Sequence, residues 1–293
     1  MDAVLQRVSS PTFVGRADEL AALDGALGRA AAGVPAFTFI AGESGVGKSR
    51  LVAELEIRAR SAGARVFVGH CLELGGAAIP YAPLVDALRP IARELAECGS
   101  EIADALPPAT RAALAELMPE FGASGAVADG EGHQSRVFEA LLALIERLGR
   151  IQPVVLVLED LHWADPSTRD FLTFLVRNAR TEPLSLVVTY RSDELHRRHP
   201  LRPLLAELER TPGVDRLGLE RFSRDEMLAQ VSSILDARFP CLPRAQRAHG
   251  AVNAARHLPL GRAAPPPPAA PRARRARARR RRAADRARAL QPH

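Results

Sequence analysis

The chain has 293 residues, 47% hydrophobic and 25% charged, enough to enclose a core in one large or two ordinary domains. Its formal charge of +6 is misleading: residues 244–293 hold 14 Arg against one acid, Asp285, and so carry +13, which leaves residues 1–243 at −7 and gives the bulk of the chain no electrostatic case for binding nucleic acid. Three scattered cysteines without a C-x-x-C pair support neither a disulfide framework nor a zinc site. No apolar run approaches the ~20 residues of a membrane span and no signal peptide opens the chain, so a cytoplasmic, membrane-free protein is expected.

In chain order, Leu20, Leu23 and Leu27 fall at helical spacing within residues 16–32. Residues 36–41 (AFTFIA) form a compact apolar run that ends in a glycine-rich turn, the pattern of a buried strand feeding a loop. A helix is expected over 48–61, a strand over 65–70 and helices over 81–97 and 134–148, with residues 122–133 as a surface loop. The run VVLVL at 154–158 predicts a further strand, and Asp165 followed by Pro166 predicts the capped start of a helix over 167–179. Strands at 184–190 and 214–219 flank a helix at 200–210, and Ser223 with Glu226 reads as a capping box opening a helix over 223–236.

Strands that are almost wholly apolar, alternating with helices, predict an α/β fold with a parallel sheet sandwiched by helices. The expected organisation is an N-terminal extension at 1–11, one domain over 12–236 and a basic tail over 237–293. From residue 244 onward Val, Ile, Leu and Phe together number four, too few to offset the entropy of ordering, so this Arg/Ala/Pro-rich tail is expected to be disordered.

The turn after the first strand reads Gly42-Glu43-Ser44-Gly45-Val46-Gly47-Lys48-Ser49, which satisfies G-x-x-x-x-G-K-[ST] between a predicted strand and a predicted helix. Glycines permit a tight loop whose N–H groups converge on phosphate oxygens, and the helix that follows adds its positive end. Lys48 supplies a compact ammonium for the β and γ phosphates, and the Ser49 hydroxyl is suited to magnesium. The 40 basic residues comprise 39 Arg and this single Lys. A chain that uses arginine everywhere else keeps lysine where a planar guanidinium would not serve.

A magnesium-phosphate site also needs an acid at the end of a neighbouring strand, and Glu159 and Asp160 follow VVLVL directly. One would hold the metal and the other would orient the attacking water; spacing does not say which. Arg191, directly after the 184–190 strand, would emerge at the same sheet edge and could sense or neutralise a γ phosphate. His162 and Trp163 read as a packed loop coupling the site to the next helix, and Cys71 beside His70 as a structural rather than a catalytic thiol.

Phe13-Val14-Gly15-Arg16, GESGVGKSRL at 42–51, VLVLEDLHWADPST at 155–168 and Val187-Val188-Thr189-Tyr190-Arg191 together resemble the signal-transduction ATPases with numerous domains (STAND), specifically the AAA-type ATPase module of large LuxR-family transcriptional regulators. The resemblance covers residues 12 to about 236. It implies ATP or ADP with Mg2+ as ligands, Val14 and Arg16 on the adenine and ribose side, Arg50 beside the loop, Glu159 and Asp160 as the Walker B pair, with Ser49 in the metal site, and Arg191 as the sensor arginine. It further implies a switch between an ADP-bound closed form and an ATP-bound, self-associating form, with DNA contacted through a C-terminal helix-turn-helix.

That output is not recognisable in this chain. Beyond about residues 238–244 the expected winged subdomain, helical repeats and DNA-binding domain give way to Arg, Ala and Pro, as an out-of-frame reading of a GC-rich gene would produce. Two other readings compete with the regulatory ATPase. One is a P-loop kinase acting on a small molecule, with an acceptor pocket within residues 75–133. The other is sequence-blind nucleic-acid binding through the basic tail.

Overall fold

The computed structural model describes residues 12–73, 79–98, 101–122 and 132–238. The N-terminal extension, the basic tail beyond Arg238 and most of the loop expected at 122–133 lie outside the described residues, and residues 237–238, expected to begin the tail, end the last helix.

Five strands form one sheet: β1 (Ala36–Gly42), β2 (Arg65–His70), β3 (Val154–Glu159), β4 (Leu184–Arg191) and β5 (Val214–Leu219). They lie in the order β2-β3-β4-β1-β5 and every pairing is parallel. The expected parallel α/β sheet is therefore present. The three inner strands are buried on both faces, as their unbroken apolar runs require, whereas the edge strand β5 (VDRLGL) is mostly exposed.

Among the described residues nine α-helices accompany the sheet: α1 (Ala17–Ala31), α2 (Lys48–Ser61), α3 (Ala82–Cys98), α4 (Glu101–Asp104), α5 (Pro108–Leu117), α6 (His133–Gly149), α7 (Pro166–Asn178), α8 (Leu201–Leu208) and α9 (Arg224–Arg238). Alternation along the strands divides the core between the two faces. On β3, Val154, Leu156 and Leu158 pack with residues of α3, α6 and α7, including Leu84, Leu144 and Phe171, while Val155 and Val157 face Leu23 of α1 and Leu51 and Leu55 of α2. Both expected helix caps form. Asp165 accepts from Thr168 N at 3.0 Å, Glu226 N donates to Ser223 Oγ, and Ser223 N donates back to Glu226 Oε2 at 2.8 Å.

The sequence reading missed α4 and α5. α4 is a single turn and α5 is short and alanine-rich, so no apolar stripe sets them apart, and they gain stability by docking Ile102 of α4 and Leu114 of α5 into the core. No helix among the described residues is long and apolar enough to cross a membrane.

Gly69 near the end of β2 sets how closely α3 approaches the sheet. A Cβ built there would lie 1.8 Å from the carbonyl oxygen of Pro83, so only glycine lets the first turn of α3 rest on the strand. Gly69→Ala is expected to destabilise the fold by about 1–3 kcal/mol. Urea unfolding should show a lower midpoint at unchanged slope, and an unshifted midpoint would contradict this packing.

Candidate functional site

Parallel pairing gathers the C-terminal ends of β1, β3 and β4 at one edge of the sheet. Gly42, the last residue of β1, is in register with Arg191, the last residue of β4, and Leu158 and Val188 pair one step before Glu159 emerges. The loop from Glu43 to Gly47 begins at that edge and runs into α2. Gly45 (φ 75°) and Gly47 (φ 105°) adopt left-handed conformations there, which makes glycine the natural residue at both. Lys48 opens α2, folds back and donates from Nζ to the carbonyls of Gly42 and Glu43, each at 2.9 Å. It is only 7% exposed, and burial pushes its pKa below the ordinary lysine value against the opposing pull of Asp160.

Both acids emerge beside this loop, and the structure separates their surroundings. The Ser49 hydroxyl donates to Glu159 Oε2 at 2.5 Å, joining the first turn of α2 to the end of β3. Asp160 turns away in a left-handed conformation (φ 57°), its N–H held by Thr189 Oγ1 at 3.1 Å and its carboxylate 3.7 Å from Arg191 Nε. Arg191 donates from Nη1 to Glu194 Oε1 at 2.5 Å and lies over the Trp163 ring, 5.0 Å from its centroid; the Glu194 hydrogen bond makes its proton still harder to remove. His162 is buried beside Trp163. Its Nε2 comes within 3.1 Å of Glu194 and its Nδ1 within 3.9 Å of Asp160, neither aligned as a hydrogen bond. Burial lowers its pKa and favours the neutral ring.

On the other side of the loop lies a cavity of about 480 Å³. Val14, Arg16, Glu43 to Gly47 and Arg50 line it, which brings the remaining sequence-selected residues to one place. Arg16 is left-handed (φ 63°) and donates to the carbonyls of Val46 and Glu220 while its guanidinium lies over Phe222. The opposite wall is formed by Phe222 and by Met227, Gln230, Val231 and Ile234 of α9. Sequence reasoning did not select these residues, although the apolar positions 227, 231 and 234 fall at helical spacing. Arg221 makes two hydrogen bonds to Glu43 Oε2, at 2.9 and 2.6 Å, fastening the segment before α9 to the loop.

These donors suit a phosphate chain with a hard cation better than a metal alone. A buried ammonium, glycine-formed loop amides, one hydroxyl and two carboxylates converge, yet no three His, Cys, Asp or Glu side chains among the described residues form a metal cage. A second cavity of about 410 Å³, bordered by His70, Cys71, Asp86 and Trp163, lies beyond Glu159 on the β2 side, with His70 Nε2 4.0 Å from Glu159 Oε1.

Residues 12–189 match the family described as AAA ATPase domain. A curated relative, uncharacterized protein R02095 of Rhizobium meliloti (strain 1021), is 29% identical over 229 residues, 70% of this chain; the chain spans only 21% of that protein. Among solved structures, the ORC2 protein of Aeropyrum pernix, determined in ADPNP-ADP complexes, superposes with a TM-score of 0.51 at 15% identity, covering 82% of this chain and 57% of that one. The STAND protein PH0952 of Pyrococcus horikoshii, which carries a tetratricopeptide repeat sensor, gives a TM-score of 0.44 at 15% identity, covering 84% of this chain and 29% of that one. At 15% identity the likeness to the ORC2 protein concerns the fold alone.

Cys71 is 2% exposed and its pKa is pushed up to about 12, chiefly by burial and further by Asp165 and Asp160. Burial thus favours the protonated thiol over the nucleophilic thiolate. Peptide-level mass spectrometry after iodoacetamide treatment should show Cys71 alkylated at least about a hundredfold more slowly in the native protein than in urea. Equal rates would contradict its placement.

Proposed function

The chain belongs to the AAA ATPase domain family, and from that premise we propose that it binds ATP with Mg2+ and hydrolyses the β–γ bond slowly, as the regulatory switch module of a LuxR-type, STAND-class regulator. The observation that carries the nucleotide site is the Ser49 Oγ to Glu159 Oε2 contact of 2.5 Å. It sets a strand-end carboxylate against the hydroxyl that follows the only lysine of the chain.

In this reading Val14, Arg16 and Arg50 border the base and ribose, and the amides of residues 43–49 with the Lys48 ammonium hold the phosphates. Ser49 and Glu159 hold the cation, and bound Mg2+ supplies charge neutralisation at the β and γ phosphates. Glu159 takes the metal side because its carboxylate faces Ser49. Asp160, held at a distinct angle by Thr189 and Arg191, is left to orient the attacking water. Arg191 offers fixed positive charge where the γ phosphate would develop negative charge.

The regulatory half of the reading rests on the four sequence segments shared with the STAND ATPases of LuxR-type regulators. Switching would proceed through α9, since this helix walls the base cavity and is tied to the loop by Arg221 and Glu43. A ligand that bridges the loop and α9 would bias that contact, and self-association in the ATP form is part of the same proposal.

Lys48→Ala is expected to weaken Mg2+-ATP binding at least about a hundredfold by titration calorimetry. Glu159→Ala and Asp160→Ala should retain binding yet release phosphate at least about tenfold more slowly. Undiminished ATP affinity in Lys48→Ala would refute the site. A phosphorylated small molecule in place of free phosphate would identify a kinase.

A further inference from the structure

Arg191 ends β4 next to Gly42, but its backbone position does not aim a guanidinium carried on a long flexible side chain. Three groups aim it. Glu194 takes Nη1 at 2.5 Å, Asp160 lies 3.7 Å from Nε, and the face rests on Trp163. Glu194 is the hub of this arrangement. Its Oε1 meets Arg191 while its Oε2 lies 3.1 Å from Nε2 of His162, whose ring is buried and stacked obliquely on Trp163 at 4.6 Å. Neither ring nitrogen of His162 has an aligned hydrogen-bond partner, so the imidazole acts as a packed backstop for the carboxylate.

We propose that Glu194, backed by the buried ring of His162, is the positioning residue that presents Arg191 to the terminal phosphate and so sets the preference for a nucleoside triphosphate over a diphosphate. The inference rests on the nucleotide-binding reading above and adds to it how the γ phosphate is distinguished. The loop amides serve a diphosphate as well, and Lys48 reaches the β phosphate of either nucleotide, so a fixed guanidinium adds a contact that only the third phosphate can make. A guanidinium held in advance pays no ordering entropy when the third phosphate arrives, whereas an unguided one loses several rotatable bonds at that moment. Glu194 is partly exposed and lies outside both core clusters, so its removal leaves the packing in place.

The test is titration calorimetry of the full-length chain with ADP and with a non-hydrolysable ATP analogue, both with Mg2+. Wild-type protein should prefer the triphosphate, Arg191→Ala should abolish that preference, and Glu194→Ala should reduce it about five- to tenfold with ADP affinity unchanged. Glu194→Gln, which keeps an oxygen for Arg191 to donate to, should recover much of the preference. The double variant Arg191→Ala, Glu194→Ala should match Arg191→Ala alone, because Glu194 acts only through the arginine. A wild-type preference in Glu194→Ala, or losses that add in the double variant, would overturn the positioning role while leaving the nucleotide site intact. Failure of wild-type protein to bind either nucleotide would overturn the nucleotide reading, and this inference with it.

Discussion

Parallel alignment of β3, β4 and β1 is the constraint from which the site follows. In a parallel sheet all strands finish at the same edge, so the loop after β1 is brought together with the acids after β3 and the arginine ending β4, although both lie more than a hundred residues beyond it in sequence. The pairing of Gly42 with Arg191 fixes the loop against the arginine, and the contact of Ser49 with Glu159 fixes the following helix against the acids. The sheet is held by a core on both faces. Cavities or strain in that core would therefore reach the site as shifts between strand ends.

The electrostatics of this edge are closely balanced. Lys48 and Arg191 face Asp160, Asp193 and Glu194, and burial of the lysine works against its charge while the acids support it. Such a cluster is suited to a ligand that brings both anionic groups and a divalent cation, since the phosphates satisfy the cations and the metal satisfies the carboxylates. The same balance distinguishes the two acids. Glu159 is buried against Ser49, while Asp160 is shared among Thr189, Arg191 and the neighbourhood of His162.

The wall opposite the loop has a different physical character. α9 buries no residue in the main core and turns Met227, Val231 and Ile234 toward the cavity; its attachments include its cap, the Arg221–Glu43 pair before it and Arg16 bridging Val46 and Glu220. An element attached by polar contacts over an apolar cavity is more easily displaced than α2 or α7, whose apolar faces are packed into the core.

Much of this was legible in the sequence because it is local chemistry. Apolar runs mark strands, Asp165-Pro166 and Ser223 with Glu226 mark helix starts, and a glycine-rich loop ending in Lys48-Ser49 marks a phosphate site through the conformations and donors that such a ligand requires. Helices α4 and α5 were not legible, since a single turn and a short alanine-rich segment take their stability from the surface they dock on. Only the tertiary structure separated Glu159 from Asp160, placed α9 across the cavity beside the loop and made Glu194 the partner of Arg191. Each of those depends on which side chains meet after distant strands align, and spacing along one chain does not encode direction in space.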